Sequence, residues 1–275
     1  MTVRGIRGRM PLRMPLARAV TQALILGAVA LTGCGGGPTS PPPVTQGPPA
    51  EPGLPPPNPP SPVPPVVGVT RLLAFGDSMT AGTTSAPLPF LGLTAGLPQS
   101  YPFKLLSLLT MRYSGQTIEV ANAGLAGRLA QQDRQRLADA IKETDPQVVL
   151  LMEGANDLNQ GRDTPNATIT ATVNALEDMV RDTTARGIPV LLATLPPQRP
   201  PKGEAASFVA RYNDALKVMA QKKGATIVDI GTVFPASLIG QDGLHPTEAG
   251  YERFAEIFLD AIKARFEVTS SGAGS

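Results

Sequence analysis

The sequence predicts an α/β fold, a three-layer α/β/α sandwich around a five-stranded parallel sheet with the strand order 2-1-3-4-5. Two observations support this fold class. Five short apolar runs alternate along the chain with five longer segments of helical apolar spacing. The run at residues 148–151 is continuously apolar, which is typical of a central parallel strand that is buried on both faces.

The predicted elements follow from local signals taken in chain order. The strands are expected at residues 71–75, 117–121, 147–152, 189–194 and 226–230. The helices are expected at residues 101–113, 134–142, 167–186, 205–223 and 247–266. Gly187 and Gly224 close two of the helices, and Asp145-Pro146 ends another. These elements make up one domain at residues 67–268, with a Gly-, Pro- and Leu-rich loop at residues 83–100.

The N-terminal segment has the pattern of an export signal. Residues 1–33 carry five arginines and no acid, then a short apolar core, and end in Leu31-Thr32-Gly33 before Cys34. The segment resembles a bacterial lipoprotein signal, which implies that Cys34 is lipidated. Lipoproteins that stay in the inner membrane typically have aspartate at the position after this cysteine. Because this chain has Gly35 there, the same resemblance favours an anchor in the outer membrane. The alternative is a cleaved signal followed by an incidental thiol; Cys34 is the only cysteine, so no intramolecular disulfide is possible.

Residues 34–66 are predicted to form a disordered spacer. Half of the chain's 30 prolines lie between Pro38 and Pro65, a composition typical of extended polyproline II. At ~3.1 Å per residue this spacer spans up to ~90 Å. Residues 269–275 are expected to form a disordered tail.

The charge balance argues against nucleic-acid binding. Five of the 24 basic residues lie in the export segment, which has no acid, so the remaining chain has 19 basic against 22 acidic residues. No basic stripe remains for nucleic acid, and we expect none as a partner.

The first predicted strand breaks into Gly76-Asp77-Ser78. Ser78 therefore lies at the carboxyl edge of the sheet, where α/β proteins bind their ligands. A serine at this place is either a helix N-cap or a nucleophile. A nucleophilic serine needs a base, and His245 is the only histidine of the chain. Asp242, three residues earlier, is placed to orient its ring; the alternative is an exposed loop histidine.

Acyl transfer also needs hydrogen-bond donors for the developing oxyanion. The candidates are the backbone N–H groups of Ser78 and Gly127 and the side-chain amide of Asn156. Each has a simpler interpretation, because the segment around Gly127 is also typical of a flexible turn and Asn156-Asp157 of a turn cap. The four segments together at predicted strand ends favour the catalytic interpretation.

These segments resemble the four blocks of the SGNH hydrolases, the GDSL esterases and lipases. Gly76-Asp77-Ser78, Gly127, the segment from Gly154 to Asp157, and the segment from Asp242 to His245 match in residue, order and spacing. The resemblance implies the flavodoxin-like SGNH fold. It implies Ser78 as nucleophile, His245 as general base and then acid, and Asp242 as its orienting carboxylate. Ser78, Gly127 and Asn156 become the oxyanion donors.

The function expected from the resemblance is hydrolysis of carboxylic esters through an acyl-enzyme, without metal or cofactor. The substrate is open between lipid or lysophospholipid esters, short acyl esters and acetylated carbohydrates, with acyl transfer as a near variant. A non-catalytic binding lipoprotein is the alternative from another class. Apolar residues of the loop at 83–100 favour an acyl chain slightly: Leu88, Phe90, Leu91, Leu93 and Leu97. We expect a monomer, exported and anchored to the cell envelope through Cys34.

Overall fold

The computed structural model describes residues 64–84 and 97–268, all within the unit Pro59–Ser275. The export segment, the lipidation site Cys34, nearly all of the spacer and the tail lie outside the described residues. So do Leu88, Phe90, Leu91 and Leu93 of the predicted loop. The domain boundaries and the anchor therefore stay predictions.

The structure alternates strands and helices as the sequence predicts. The strands are β1 (Val66–Val67), β2 (Arg71–Gly76), β3 (Glu119–Gly124), β4 (Val148–Met152), β5 (Val190–Ala193), β6 (Thr226–Val228) and β7 (Glu267–Val268). The helices are α1 (Ser78–Ala81), α2 (Tyr101–Arg112), α3 (Arg134–Thr144), α4 (Ala155–Gln160), α5 (Pro165–Thr184), α6 (Val209–Lys223), α7 (Ile230–Val233) and α8 (Glu248–Phe266). Two short 3-10 turns lie at Ala130–Gln132 and Ala236–Leu238.

The main sheet has five parallel strands in the order β3-β2-β4-β5-β6. Without the short β1, this is the predicted order 2-1-3-4-5, so the fold class is confirmed. The order places β2 between β3 and β4, and all five residues of β4 are buried. The carboxyl ends of β2, β3 and β4 therefore lie side by side, where chemistry-bearing loops of distant sequence can meet.

Helices cover the sheet in two groups. The helix α2 packs on α8, whereas α5 packs on α3 and α6. Tyr101 of α2 stacks on Phe258 of α8, with ring centroids 4.8 Å apart, and both rings are fully buried. Offset aromatic pairs of this kind add ~1 kcal/mol to the hydrophobic burial of the rings. This packing holds α8, and the loop in front of it, against the sheet.

A small antiparallel sheet joins the two ends of the described domain, and the sequence analysis did not predict it. Strand β1 pairs with β7, and Glu267 of β7 accepts two hydrogen bonds from Arg112 and one from Tyr113, all at 2.7 Å. These hydrogen bonds from Arg112 and Tyr113 lower the pKa of Glu267 to about 2. The two ends are thus fixed far from the carboxyl edge of the main sheet.

Most predicted elements differ from the structure in their bounds, usually by one or two residues, and three of these differences are described next. The second strand of the main sheet runs to Gly124, because Asn122 to Gly124 continue the ladder with β2. The helix predicted from residue 205 begins at Val209. The strand predicted to residue 230 ends at Val228, because the next segment turns into α7, where Gly231 N donates to Thr194 Oγ1 (2.8 Å).

None of the helices within residues 64–84 and 97–268 combines the length and the apolar character that a membrane span requires.

Candidate active site

Ser78 lies at the carboxyl end of β2, as the first residue of α1. The preceding Asp77 ends the strand and caps the helix, because its Oδ1 accepts a hydrogen bond from Met79 N at 2.9 Å. Asp77 is thus the N-cap, which answers the question that the sequence left open for Ser78. The hydroxyl of Ser78 is not used as a cap and is free for another partner.

The partner of the Ser78 hydroxyl is the chain's only histidine. Ser78 Oγ lies 2.9 Å from His245 Nε2, and His245 Nδ1 lies 2.6 Å from Asp242 Oδ2. The side chains of Ser78 and His245 are both buried. The structure thus brings together three residues that the sequence analysis selected, two of them 167 positions apart.

Local geometry fixes the loop that carries Asp242 and His245. Asp242 Oδ1 accepts from the backbone N–H groups of Leu244 and His245, both at 3.0 Å, so the carboxylate closes the turn on which the imidazole sits. Beyond His245, Thr247 caps α8 by accepting from Gly250 N at 3.1 Å. The imidazole is therefore held between a closed turn and the start of a buried helix.

Hydrogen bonding makes Asp242 an anion. Partial burial alone raises the pKa of a carboxyl group, but here the His245 ring and the two backbone donors outweigh it and lower the pKa of Asp242 to about 2. A carboxylate in this position selects the His245 tautomer with hydrogen on Nδ1, which leaves Nε2 free to accept the proton of Ser78.

The segment between β5 and α6 braces this loop, and the sequence analysis did not select its residues. Arg199 N donates to Gly243 O and Lys202 N donates to Asp242 O, both at 2.8 Å. The ammonium group of Lys202 lies 3.7 Å from Asp242 Oδ2, although the side chain is 60% exposed. The carboxylate that faces His245 thus has the Lys202 cation beside it.

Asn156 lies between the Ser78 turn and the Gly127 loop. Its Nδ2 donates to Arg128 O at 2.9 Å, and its distance to Asp77 Oδ2 is 3.5 Å. A side-chain amide has two N–H donors. The first is committed to Arg128 and fixes the amide, whereas the second has only a long contact and is available to an oxyanion.

Gly127 is an exposed residue with φ of +80°. Side chains disfavour this conformation, although a Cβ on Gly127 would meet open space. The loop is fixed at its far end by Asp157 of α4, whose Oδ2 accepts from Ala130 N at 2.8 Å. Asp157 was considered only as a turn cap from the sequence. It does satisfy a turn, but one that lies 27 residues away in the chain.

Buried carboxyl groups lie behind the site. Burial raises the pKa of Asp77 to about 7, assisted by the charges of Asp157 and Asp133 and opposed by the Met79 N–H and by Arg136. Asp133 is also buried, but hydrogen bonds from Arg136 and Arg128 lower its pKa. The sequence analysis did not predict this cluster, because its three carboxyl groups come from three separate segments.

Within residues 64–84 and 97–268, no group of three or more His, Cys, Asp or Glu side chains is arranged to hold a metal ion. The arrangement that is present combines a serine hydroxyl, an imidazole, an ionised carboxylate and a free amide donor. Such a set can move a proton from the hydroxyl to the imidazole and stabilise negative charge on a neighbouring oxygen.

Comparison of this chain with known proteins identifies a matching family, a related sequence and solved structures of similar fold. A model of the GDSL-like Lipase/Acylhydrolase family matches residues 74–253, more than half of the chain. A multidomain esterase from Ruminococcus flavefaciens is 29% identical over 157 residues, which are 55% of this chain and 20% of that protein. The chain therefore spans about a fifth of the length of this curated relative.

Two solved structures share the fold. An acetylxylan esterase from Geobacillus stearothermophilus superposes with a TM-score of 0.56 at 24% identity, covering 71% of this chain and 95% of that chain. A lipase/acylhydrolase from Enterococcus faecalis gives a TM-score of 0.57 at 22% identity, covering 74% and 100%.

Proposed function

The chain belongs to the GDSL-like lipase/acylhydrolase family, and we propose that it is a serine esterase in which Ser78, His245 and Asp242 form the catalytic triad. One observation carries the proposal. The hydrogen-bonded series from Ser78 Oγ through His245 to Asp242, at 2.9 and 2.6 Å, has the contacts that activate a serine.

The proposed reaction has two stages. Ser78 Oγ attacks the ester carbonyl while His245 Nε2 takes its proton, and Asp242 stabilises the imidazolium through Nδ1. His245 then gives the proton to the leaving alcohol oxygen as the ester C–O bond breaks, which leaves an acyl group on Ser78. In the second stage His245 takes a proton from water, and the resulting hydroxide attacks the acyl carbonyl. The bond between Ser78 Oγ and the acyl carbon then breaks, the carboxylic acid leaves, and His245 returns the proton to Ser78 Oγ.

The oxyanion of each tetrahedral intermediate is proposed to accept hydrogen bonds from three donors. These are the backbone N–H groups of Ser78 and Gly127 and the second N–H of the Asn156 amide. Donors held in place before the reaction need no reorganisation, and loss of one commonly reduces kcat about 10²- to 10³-fold. The contact of Asn156 with Arg128 O supports its assignment, because it fixes the amide before substrate arrives.

A fluorophosphonate probe tests the proposal, because it labels only an activated serine. We expect the wild-type protein to be labelled at Ser78 and to hydrolyse p-nitrophenyl acetate, and Ser78→Ala and His245→Ala to lose both properties. Ser107→Ala is the matched control, since Ser107 is an exposed residue of α2 that bonds only within its helix. An unlabelled wild-type protein would favour a binding lipoprotein instead.

The substrate class is proposed as short acyl or lipid esters, with acetylated carbohydrate as the second candidate. The name of the Geobacillus stearothermophilus relative, an acetylxylan esterase, favours the second. Rates on p-nitrophenyl esters from acetate to dodecanoate, measured beside acetyl release from acetylated xylan, separate the two. Capture of the acyl group by an added alcohol in preference to water would identify an acyltransferase.

We also propose that the protein is a lipoprotein of the cell envelope, anchored in the outer membrane through a lipid attached to Cys34. The support is the sequence alone: a basic segment, a short apolar core and a lone cysteine at the expected cleavage point. Palmitate labelling of the full chain in a Gram-negative host should mark the wild type and not Cys34→Ser. Label in both proteins would contradict the proposal.

A further inference from the structure

Arg136 of α3 reaches the carboxyl ends of three neighbouring strands. Its guanidinium group lies 3.8 Å above the ring of Phe75 and donates to Gly76 O at 3.0 Å. The same group donates to Ala123 O at 2.5 Å and to Glu153 Oε1 at 3.0 Å. Gly76 ends β2, Ala123 is the penultimate residue of β3, and Glu153 directly follows β4.

Each of these strand ends leads into one proposed oxyanion donor. Gly76 is two residues before Ser78, Ala123 is four before Gly127, and Glu153 is three before Asn156. One planar side chain therefore contacts the origins of all three donor segments. The last paired residues of β2, β3 and β4 are Gly76, Gly124 and Met152. Arg136 therefore makes its contacts where the strand pairing ends.

The carboxylate of Asp133 also holds the guanidinium group of Arg136. Asp133 is fully buried and accepts from Arg136 Nε at 2.8 Å and from Arg128 Nε at 2.7 Å. Arg128 directly follows Gly127, and its carbonyl oxygen accepts the hydrogen bond from Asn156. Asp133 thus links Arg136 to Arg128, which directly follows the second donor and whose carbonyl oxygen accepts from the third.

Glu153 completes the cluster as a buried carboxyl group that contacts Arg136. Burial and the charges of Asp77 and Asp133 raise the pKa of Glu153 well above its usual range. Within the described residues the buried Glu153 Oε2 has no hydrogen-bond partner, whereas Oε1 accepts from Arg136.

We propose that Arg136, held by Asp133 and Glu153, is a positioning residue that keeps the three oxyanion donors in register. The inference rests on the proposed function. Only arginine suits the place, because a guanidinium group offers five N–H donors in a plane and stacks on an aromatic ring. A lysine would keep the charge, yet it could reach fewer of these oxygens and would release at least one strand end.

Arg136→Lys tests the inference, with Arg134→Lys as the matched control on the same helix. Arg134 faces outward and pairs with Asp178 and Asp182 on the surface. We expect Arg136→Lys to lower kcat about 10- to 100-fold, since a small misplacement of catalytic groups has effects of this size, with KM changed less than about twofold. Affinity for a boronic acid, whose serine adduct is tetrahedral, should fall with kcat; a mere loss of stability would not change it.

Three outcomes decide the matter. A fall in kcat and boronate affinity in Arg136→Lys, with Arg134→Lys unchanged, supports the inference. Equal kinetics in the two variants overturn it, while the wild type still labels with fluorophosphonate and the proposed function stands. A wild-type protein that neither labels nor turns over overturns the proposed function itself.

A second variant covers the case in which Arg136→Lys does not fold. Glu153→Ala removes one of the three contacts that Arg136 makes with the strand ends, and it leaves the arginine in place. Glu143→Ala is its control, because Glu143 is an exposed residue of α3. We expect Glu153→Ala to lower kcat about fivefold or more at an unchanged KM, and to weaken the boronate in proportion. A kcat equal to that of Glu143→Ala would contradict the positioning role.

Discussion

Asp77 and Asp242 each stand beside a member of the proposed catalytic pair, and their surroundings shift their pKa values in opposite directions. Asp77 precedes Ser78, is fully buried, and has a pKa of about 7. Asp242 lies three residues before His245, is also largely buried, and has a pKa of about 2. At neutral pH the second is ionised, whereas the raised pKa of the first disfavours its charged form.

Deeper burial of Asp77 and the larger number of hydrogen-bond donors around Asp242 together explain the difference. Asp242 receives the His245 ring and two backbone N–H groups, whereas Asp77 receives one backbone N–H and has other carboxyl groups nearby. The protein thus places a firm negative charge where the imidazolium develops. Beside the nucleophile, where an anion would oppose the oxyanion, burial disfavours the charged form of the carboxyl group.

The largest expected effect comes from removing the charge of Asp242. Asp242→Asn keeps an oxygen for the N–H groups of Leu244 and His245, so the fold should persist. It loses the carboxylate that stabilises the imidazolium, and we expect kcat to fall about 10³- to 10⁴-fold. Ester hydrolysis and a thermal melt measure both quantities. A loss of less than tenfold would show that the charge of Asp242 is not what activates His245.

Asn156→Ala tests the surroundings of Asp77, the other aspartate of the comparison. The variant removes the amide that contacts Asp77 Oδ2 and Arg128 O, together with one proposed oxyanion donor. We expect kcat to fall about 100-fold with little change in KM. Asn166→Ala, on the exposed start of α5, is the control. If both variants kept wild-type kcat, Asn156 would be structural only.

The third effect is on stability and has a definite sign for each aspartate. The folded-state pKa of Asp77 is raised, so its contribution is full below the unfolded value near ~4 and is lost as pH rises through about 7. That of Asp242 is lowered, so its contribution is full above ~4 and is lost as pH falls toward about 2.

Asp77→Asn therefore should reduce the fall in Tm between pH 5 and pH 8. Asparagine keeps an acceptor for Met79 N, which preserves the helix cap. Part of the pH dependence should remain, because the raised pKa of Glu153 acts in the same direction. Melting curves at the two pH values measure the change. An equal fall in Tm in the wild type and the variant would show that Asp77 does not titrate between pH 5 and pH 8 in the folded protein.

The smallest effect is expected from Lys202→Met. The lysine competes with His245 for Asp242 Oδ2 from 3.7 Å, but it is largely exposed, and exposed pairs are worth at most ~1 kcal/mol. We expect kcat/KM on a neutral ester to rise less than about threefold at low salt, and the difference to vanish near ~1 M salt. A loss of activity would instead indicate that Lys202 supports the loop through its side chain.

Much of the candidate site could be predicted from the sequence because its chemistry is local and sparse. A single histidine leaves one choice of base, and apolar runs that end in glycine and polar residues mark strand ends. The strand order then brings Ser78 and the Asn156 segment to one edge. The bounds of β3 and α6 were less predictable, because partner strands and side-chain contacts decide where an element ends.

Arg136, Asp133 and Glu153 could not be predicted as a cluster. An arginine on an amphipathic helix and an acid after a strand have ordinary surface interpretations in the sequence. Their burial and mutual contacts depend on how α3 lies across the ends of β2, β3 and β4. The same is true of Arg199 and Lys202, which reach the Asp242 loop from the segment between β5 and α6.

The sequence by itself determined the types of the strands and helices, their order along the chain and the identity of the one available base, because these depend on side-chain periodicity and on composition. Only the tertiary structure decided which carboxyl groups are charged and which segments hold the donors in place. The electrostatic environment of a carboxyl group depends on its burial and on the donors around it, and here those donors come from segments far apart in the chain.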